Sequence, residues 1–227
     1  MEQHLKIAER RTSVDLVFDY LYDEIVSMRL LPGTKISEAE MASRFDISRQ
    51  PVRDAFNRLE NLDLLLIRPQ RATEVKRFSS KAITTARFVR AAVEAEVLRR
   101  AARNCGKEGG ELLEARLSEQ KIAVSEKHYD RFRTLDYDFH QALCAVGEVD
   151  FAFEVIARDK AKVDRLCFLS LAQNERLELL LNDHISIAEM IRNNDEQGAV
   201  DIGMLHLSRL DDTIAAIREQ NSDYFYD

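Results

Sequence analysis

The sequence predicts a mainly α chain in two parts. Residues 1–78 read as a winged helix-turn-helix of three helices plus a β-hairpin wing, and residues 79–227 as an all-α bundle of six (or seven) helices. Three observations predict this. Apolar residues recur at helical spacing through most of the chain. The strand-like runs lie close together, between residues 64 and 76. The three prolines, Pro32, Pro51 and Pro69, all fall in the first third, so no proline interrupts the later helices.

The first helix spans Ser13 to Met28, with Val14, Val17, Phe18, Leu21, Ile25 and Met28 on one face. Leu31-Pro32-Gly33-Thr34 stops it. Ser37 has the chemistry to cap a short second helix, and Glu40, three residues on, completes a capping box. Ala39, Met41, Ala42 and Phe45 give that helix its apolar side, and Asp46-Ile47 forms a turn. Ser48 suits the cap of a third helix, and Pro51 falls in its first turn, where a missing N–H costs nothing. Val52, Ala55, Phe56 and Leu59 form the buried face of that helix. Arg49 and Arg53, four apart, share another face, and Asn57 continues it.

Two arginines alone suit an ordinary solvated helix face. Arginine also donates bidentately to guanine, and asparagine or glutamine reads adenine. Arg49, Gln50, Arg53 and Asn57 are therefore the candidate groove-facing set on double-stranded DNA, with Ser48 at the start of the same helix. Leu64–Ile67 and Ala72–Lys76 flank the basic turn Arg68-Pro69-Gln70-Arg71 as a hairpin. Arg68 and Arg71 at its tip are candidate phosphate or minor-groove contacts. The capping box, the Ser-Arg-x-Pro-Val-Arg opening and the basic hairpin together favour DNA over the solvated face.

The net charge of −7 fits once it is divided. Residues 1–78 hold 13 basic and 13 acidic side chains, so the whole excess lies in 79–227. Residues 44–77 hold 8 basic and 5 acidic, a local +3. The acidic remainder repels phosphate and orients the molecule. Few contacts per subunit then call for a homodimer on a palindromic operator. No signal peptide or membrane span is visible and Met1 to Arg11 is polar, which predicts a cytoplasmic protein without membrane partners. Cys105, Cys144 and Cys167 are far apart and read as buried thiols in a reducing compartment.

Beyond Ser79-Ser80 the pattern predicts helices over 80–104, 109–126, 129–146, 149–172, 174–193 and 195–220, with breaks near Gly106 to Gly110, His128, Gly147, Asn174 and Asn193-Asn194. Asp136 and His140 are four apart on one of them. His184 and His206 lie on two others, each among apolar residues. A lone histidine in such a setting is readily a packed core residue. Three inward-looking imidazoles and one carboxylate also suit a divalent metal such as zinc, nickel or manganese, with positions left open.

Two sets of motifs carry a family resemblance. Pro32-Gly33-x-x-Ile36-Ser37-Glu38, Ser48-Arg49-Gln50-Pro51-Val52-Arg53-Asp54-Ala55 and Leu59-Glu60 resemble the DNA-binding domain of GntR-type bacterial transcription regulators. Arg90-x-x-x-Glu94, Asp136-x-x-Phe139-His140, Asp183-His184 and His206 resemble the FCD effector domain of that family's FadR branch. The resemblance implies that Asp136, His140, His184 and His206 form a metal site. It also implies that a small organic acid fills the open positions, and that repression is the commoner outcome. Arg90 and Arg165 are the candidate carboxylate anchors. Six helices rather than seven would favour the VanR-like subgroup. Three positions depart from the family pattern: Asp63 and Ala72 stand where glycine is usual, and Gly147-Glu148 replaces Gly-Asn.

Two other readings compete. A metal-dependent helical-bundle enzyme with a DNA-binding appendage is opposed by the absence of paired Glu-x-x-His motifs, of a glycine-rich phosphate loop and of a Gly-x-Ser-x-Gly elbow. A regulator with a purely structural metal differs only in its response to effector.

Overall fold

The structure, a computed structural model, describes residues 12–171 and 175–226. The polar segment Met1–Arg11, the Cys167 side chain and the break expected near Asn174 lie outside the described residues. The chain divides into two compact units, with the division after Arg77.

In the first unit, α1 (Ser13–Val26) opens on a capping box formed by Thr12 and Asp15 and buries Val17, Leu21 and Ile25 completely. It ends two residues before the expected Met28, which takes a left-handed conformation (φ 56°). Gly33 also has positive φ (87°), and its N–H donates to the Val75 carbonyl at 2.8 Å. A side chain there would be strained and would meet the Arg77 guanidinium.

α2 (Glu38–Phe45) is capped by Ser37, whose Oγ accepts from the Ala39 N–H at 3.2 Å. The expected capping box does not form. Ser37 serves the second helical N–H rather than the third, and no reciprocal Glu40 bond accompanies it. Asp46 makes the left-handed turn (φ 53°) into α3 (Arg49–Asn61). Asp63 (φ 63°) ends α3 where the family favours glycine, and the Leu64 N–H closes back on the Leu59 carbonyl at 3.0 Å. Aspartate tolerates this conformation better than most residues.

The wing is larger than a hairpin. β2 (Leu65–Leu66) and β3 (Thr73–Val75) pair antiparallel as expected, and β1 (Lys35–Ile36) adds to the far side of β3, giving the order β1-β3-β2. The left-handed residue at the tip is Gln70 (φ 58°), and Ala72, which stands where glycine is usual, has no positive φ.

The second unit holds seven helices among the described residues: α4 (Ser80–Asn104), α5 (Lys107–Ser125), α6 (Tyr129–Val146), α7 (Ala152–Leu171), α8 (Glu175–Arg192), α9 (Glu196–Ser208) and α10 (Asp211–Gln220). The single helix expected over 195–220 is thus two. The chain bends at Arg209-Leu210, where both residues keep right-handed helical dihedrals. The six-helix criterion for the VanR-like subgroup is not met. A short parallel pair, β4 (Phe78–Ser79) with β5 (Phe225–Tyr226), brings the two ends of this unit together, and the Phe78 and Phe225 rings lie 5.3 Å apart.

α4 packs against α6, α7 and α9, α5 against α6 and α8, and α8 against α9. The core is built on Leu113, Leu117, Phe132, Phe139, Ile156 and Leu177. Cys144 is buried within it, and burial pushes its thiol up to about 12. Cys105 is only half-buried, short of the buried thiol expected. α9 crosses close to α4 at Gly203, where a Cβ would collide with Leu98. Gly203→Val is expected to destabilise by ~1–3 kcal/mol through overpacking, read as a lower denaturant midpoint at unchanged slope.

Candidate metal centre and DNA-reading surface

Four of the site residues predicted from sequence come together. α6 carries Asp136 and His140 one turn apart, α8 supplies His184 and α9 supplies His206. One ligand atom from each lies within 4.8 Å of all the others, and all four residues are buried. The imidazole centroids are 5.8 Å (His140–His184), 5.7 Å (His140–His206) and 4.7 Å (His184–His206) apart. Phe139 stacks on His184 at 4.4 Å and fixes its ring plane.

Each imidazole is gripped from behind. His140 Nδ1 lies 3.0 Å from Glu94 Oε2, and His184 Nδ1 lies 2.8 Å from Gln120 Oε1. The Gln120 amide nitrogen donates to the Leu135 carbonyl at 3.0 Å, so its oxygen is the atom left for His184. His184 Nδ1 must then carry the proton, which leaves the Nε2 lone pair for the cluster. His206 is held more loosely, its Nδ1 3.5 Å from Asp183 Oδ2 and without a hydrogen bond.

The Nε2 atoms of His140 and His184 are buried without a hydrogen-bond partner. Orphaned acceptors of this kind are costly in a folded core unless something binds them. Burial, followed by the nearby His206, pushes His184 well below the ordinary imidazole range, so it stays neutral as a metal ligand must. Burial raises the Asp136 carboxyl, but Lys160 and the three imidazoles outweigh it and hold it below the usual carboxylate range. Three imidazoles and one carboxylate are a donor set that fits a divalent cation.

The cluster opens on a cavity of about 70 Å³, room for roughly five water-sized groups at ~10–15 Å³ each. Five cationic side chains line it: Arg90, Arg133, Lys160, Arg176 and Arg209. Of the two anchors expected from sequence, Arg90 is on this wall. Its Nε donates to Glu94 Oε1 at 2.8 Å, which links it through Glu94 to His140. Arg165 is not among the lining residues. It is buried on α7 with its guanidinium 4.6 Å from the Phe78 ring centroid.

Sequence reasoning missed Gln120, Lys160, Arg133, Arg176 and Arg209, and it gave Glu94 no role. For Glu94 and Lys160 a signal exists. Arg90-x-x-x-Glu94 and Lys160-x-x-x-Asp164 are spaced for ion pairs within a helix, although such pairs are usually on the surface.

The first unit presents a separate surface. Ser48, Arg49, Gln50, Arg53 and Asn57 are exposed on or at the start of α3, while Val52, Ala55, Phe56 and Leu59 are buried behind them. Ser48 sits at the cap position without making the capping bond expected of it. Arg53 is preset by Glu38 of α2, with contacts of 3.3 and 3.0 Å, and Gln50 donates to Asp54 at 2.9 Å. On the wing Arg71 is exposed. Arg68 is half-buried and donates to Glu74 at 3.2 Å.

Residues 14–75 match the bacterial regulatory proteins of the gntR family, and residues 86–209 match the FCD domain. The chain belongs to the GntR family and carries an FCD domain. Over 209 residues it is 35% identical to the HTH-type transcriptional repressor RspR of Escherichia coli (strain K12), a match covering 92% of each chain. Its fold is similar to that of the solved E. coli McbR/YncC, with a TM-score of 0.72 at 16% identity over 93% of this chain and 99% of that one. A putative GntR transcriptional regulator from Rhodococcus sp. RHA1 gives 0.71 at 20% identity, covering 89% and 97%. This GntR member is accordingly a DNA-binding transcription regulator and not an enzyme. Among the described residues no helix is long and apolar enough to cross a membrane.

Proposed function

We propose that this regulator is a repressor whose hold on a palindromic operator is controlled by a small organic acid bound at a metal-containing FCD domain. The observation that carries the reading is the buried Asp136–His140–His184–His206 quartet, with two orphaned Nε2 atoms, beside a cavity lined by five cations. Those four residues would hold zinc, nickel or manganese. The ion supplies a Lewis acid with open positions that a carboxylate can fill. Arg90 takes the acid's other polar end, already oriented by Glu94. Repression is the direction named for RspR.

On DNA, Arg49, Gln50, Arg53 and Asn57 enter the major groove of each half-site, and Ser48, Arg68 and Arg71 hold the backbone. A homodimer supplies the two half-sites. Arg49→Ala is expected to cost ~1–3 kcal/mol of operator affinity per half-site and to relax specificity at one position of each. Arg71→Ala removes one phosphate contact in each half-site and is expected to weaken all sequences alike and to reduce the salt slope by about two. Fluorescence anisotropy on operator and scrambled duplexes at several salt concentrations separates the two.

The reading as a whole is tested by protecting the upstream region of the protein's own gene from nuclease, with and without a panel of organic acids and a chelator. Protection that an acid relieves, and that a chelator makes insensitive to the acid, supports it. Absence of protection at modest salt under every condition sinks it.

A further inference from the structure

Lys160 touches the metal-binding quartet directly. It is 7% exposed, and its ammonium lies 2.9 Å from Asp136 Oδ2 and 2.8 Å from Asp164 Oδ1. The Tyr137 ring centroid is 4.2 Å from it, and the Tyr137 hydroxyl donates in turn to Asp164. Three groups thus fix the charge in place. The other oxygen of Asp136, Oδ1, faces the imidazoles, 3.4 Å from His184 Nε2. The two oxygens of this carboxylate are therefore divided, one committed to Lys160 and one turned to the cluster.

We infer that Lys160 is a positioning residue of the metal centre, which limits Asp136 to one donated oxygen and weakens the site's hold on a dication. The inference rests on the quartet being a metal site. A carboxylate with both oxygens free can chelate and fill two coordination positions; with Oδ2 committed it fills one and leaves another open. The fixed ammonium also repels a dication in a pocket where little water screens it. Asp164 offsets part of this charge, but the ammonium is what touches the ligand. The ion is then held moderately, its open positions are kept for an anion, and a cation stands on the same cavity wall to meet that anion.

Cobalt(II) is the probe, because its visible absorption reports coordination number. Full-length wild type and the variants Lys160→Gln and Lys160→Arg are titrated with cobalt(II) and zinc(II) against a competing chelator. Glutamine removes the charge and, one atom shorter than lysine, no longer holds Asp136 Oδ2. It is expected to bind both ions about tenfold or more tightly, with an altered visible band as Asp136 becomes free to chelate. Arginine keeps the charge and is expected to restore wild-type affinity and spectrum. A folded Lys160→Gln variant with unchanged spectrum, or with unchanged or weaker affinity, overturns the inference. Metal-free melting by circular dichroism checks the fold. If Lys160→Gln does not fold, the double variant Lys160→Gln/Asp164→Asn, which removes both charges of the pair, is measured with the same criteria. Wild type that binds no cobalt, zinc, nickel or manganese removes the metal reading itself, and this inference with it, whereas wild type that binds while the variants match it removes the inference alone.

Discussion

His184→Ala is expected to abolish the rise in melting temperature that divalent metal gives the wild type. At free metal ~100-fold above Kd, linkage stabilises the folded state by ~2.7 kcal/mol. For a chain of this size that is a shift of roughly 5–10 °C. His184 is the sharpest choice because its geometry is over-determined. Gln120 fixes the proton on Nδ1, Phe139 fixes the ring plane, and Nε2 is buried without a hydrogen bond. Alanine removes the donor and also strands the Gln120 oxygen, a further cost of ~1–3 kcal/mol in the absence of metal. Differential scanning fluorimetry with zinc, nickel or manganese, with and without chelator, reads both effects, and elemental analysis gives the bound ion. His128→Ala is the control: His128 is exposed at the start of α6 and belongs to no cluster with the other three. A His184→Ala protein that keeps the full metal-dependent rise rules out the quartet as the metal site. If the rise is lost while operator binding still responds to organic acids, the metal is structural and the acid binds elsewhere.

What the sequence makes legible here follows from how local the signals are. Asp136 and His140 announce themselves because a helix fixes residues four apart on one side. The recognition helix does so because its apolar residues leave the arginines a separate face. The split between α9 and α10 gives no such signal. Arg209 and Leu210 keep helical dihedrals, neither glycine nor proline marks the bend, and the apolar spacing runs through it. β1 is two residues long, too short to show alternation, and its partner β3 lies far along the chain. The grip on the histidines is hidden for a third reason. Gln120 looks like any polar residue on an amphipathic helix until α5 meets α8, and Lys160–Asp164 looks like a surface pair until α7 is buried. Such groups are defined by tertiary packing, and spacing along one helix cannot disclose them.

Glu94→Gln is expected to destabilise the protein by ~3–5 kcal/mol, because it leaves a buried guanidinium without its counter-ion. Glu94 is 5% exposed and Arg90 8%, and the same carboxylate serves both Arg90 and His140. Glutamine has one acceptor oxygen where Arg90 and His140 use two, so losing the carboxylate behind His140 should also lower metal affinity by ~10–100-fold. Burial raises the Glu94 carboxyl, but Arg90 and His140 outweigh it and hold it well below the ordinary glutamate range. The sign of the pH dependence follows. A depressed folded pKa means that the contribution is complete above the unfolded value, about 4.3. It is lost as pH falls from there toward the folded value. The stability gap between wild type and Glu94→Gln should therefore be constant near neutrality and narrow below about pH 4.3, read from urea midpoints at successive pH values. Arg90→Met/Glu94→Met removes both charges together and is expected to be more stable than Glu94→Gln alone. It should still fail to answer an organic acid, because the anchor is gone. If the double variant keeps the acid response, Arg90 is a counter-ion to Glu94 and nothing more; if it loses that response while folded and loaded with metal, Arg90 both orients the metal ligand's partner and receives the effector.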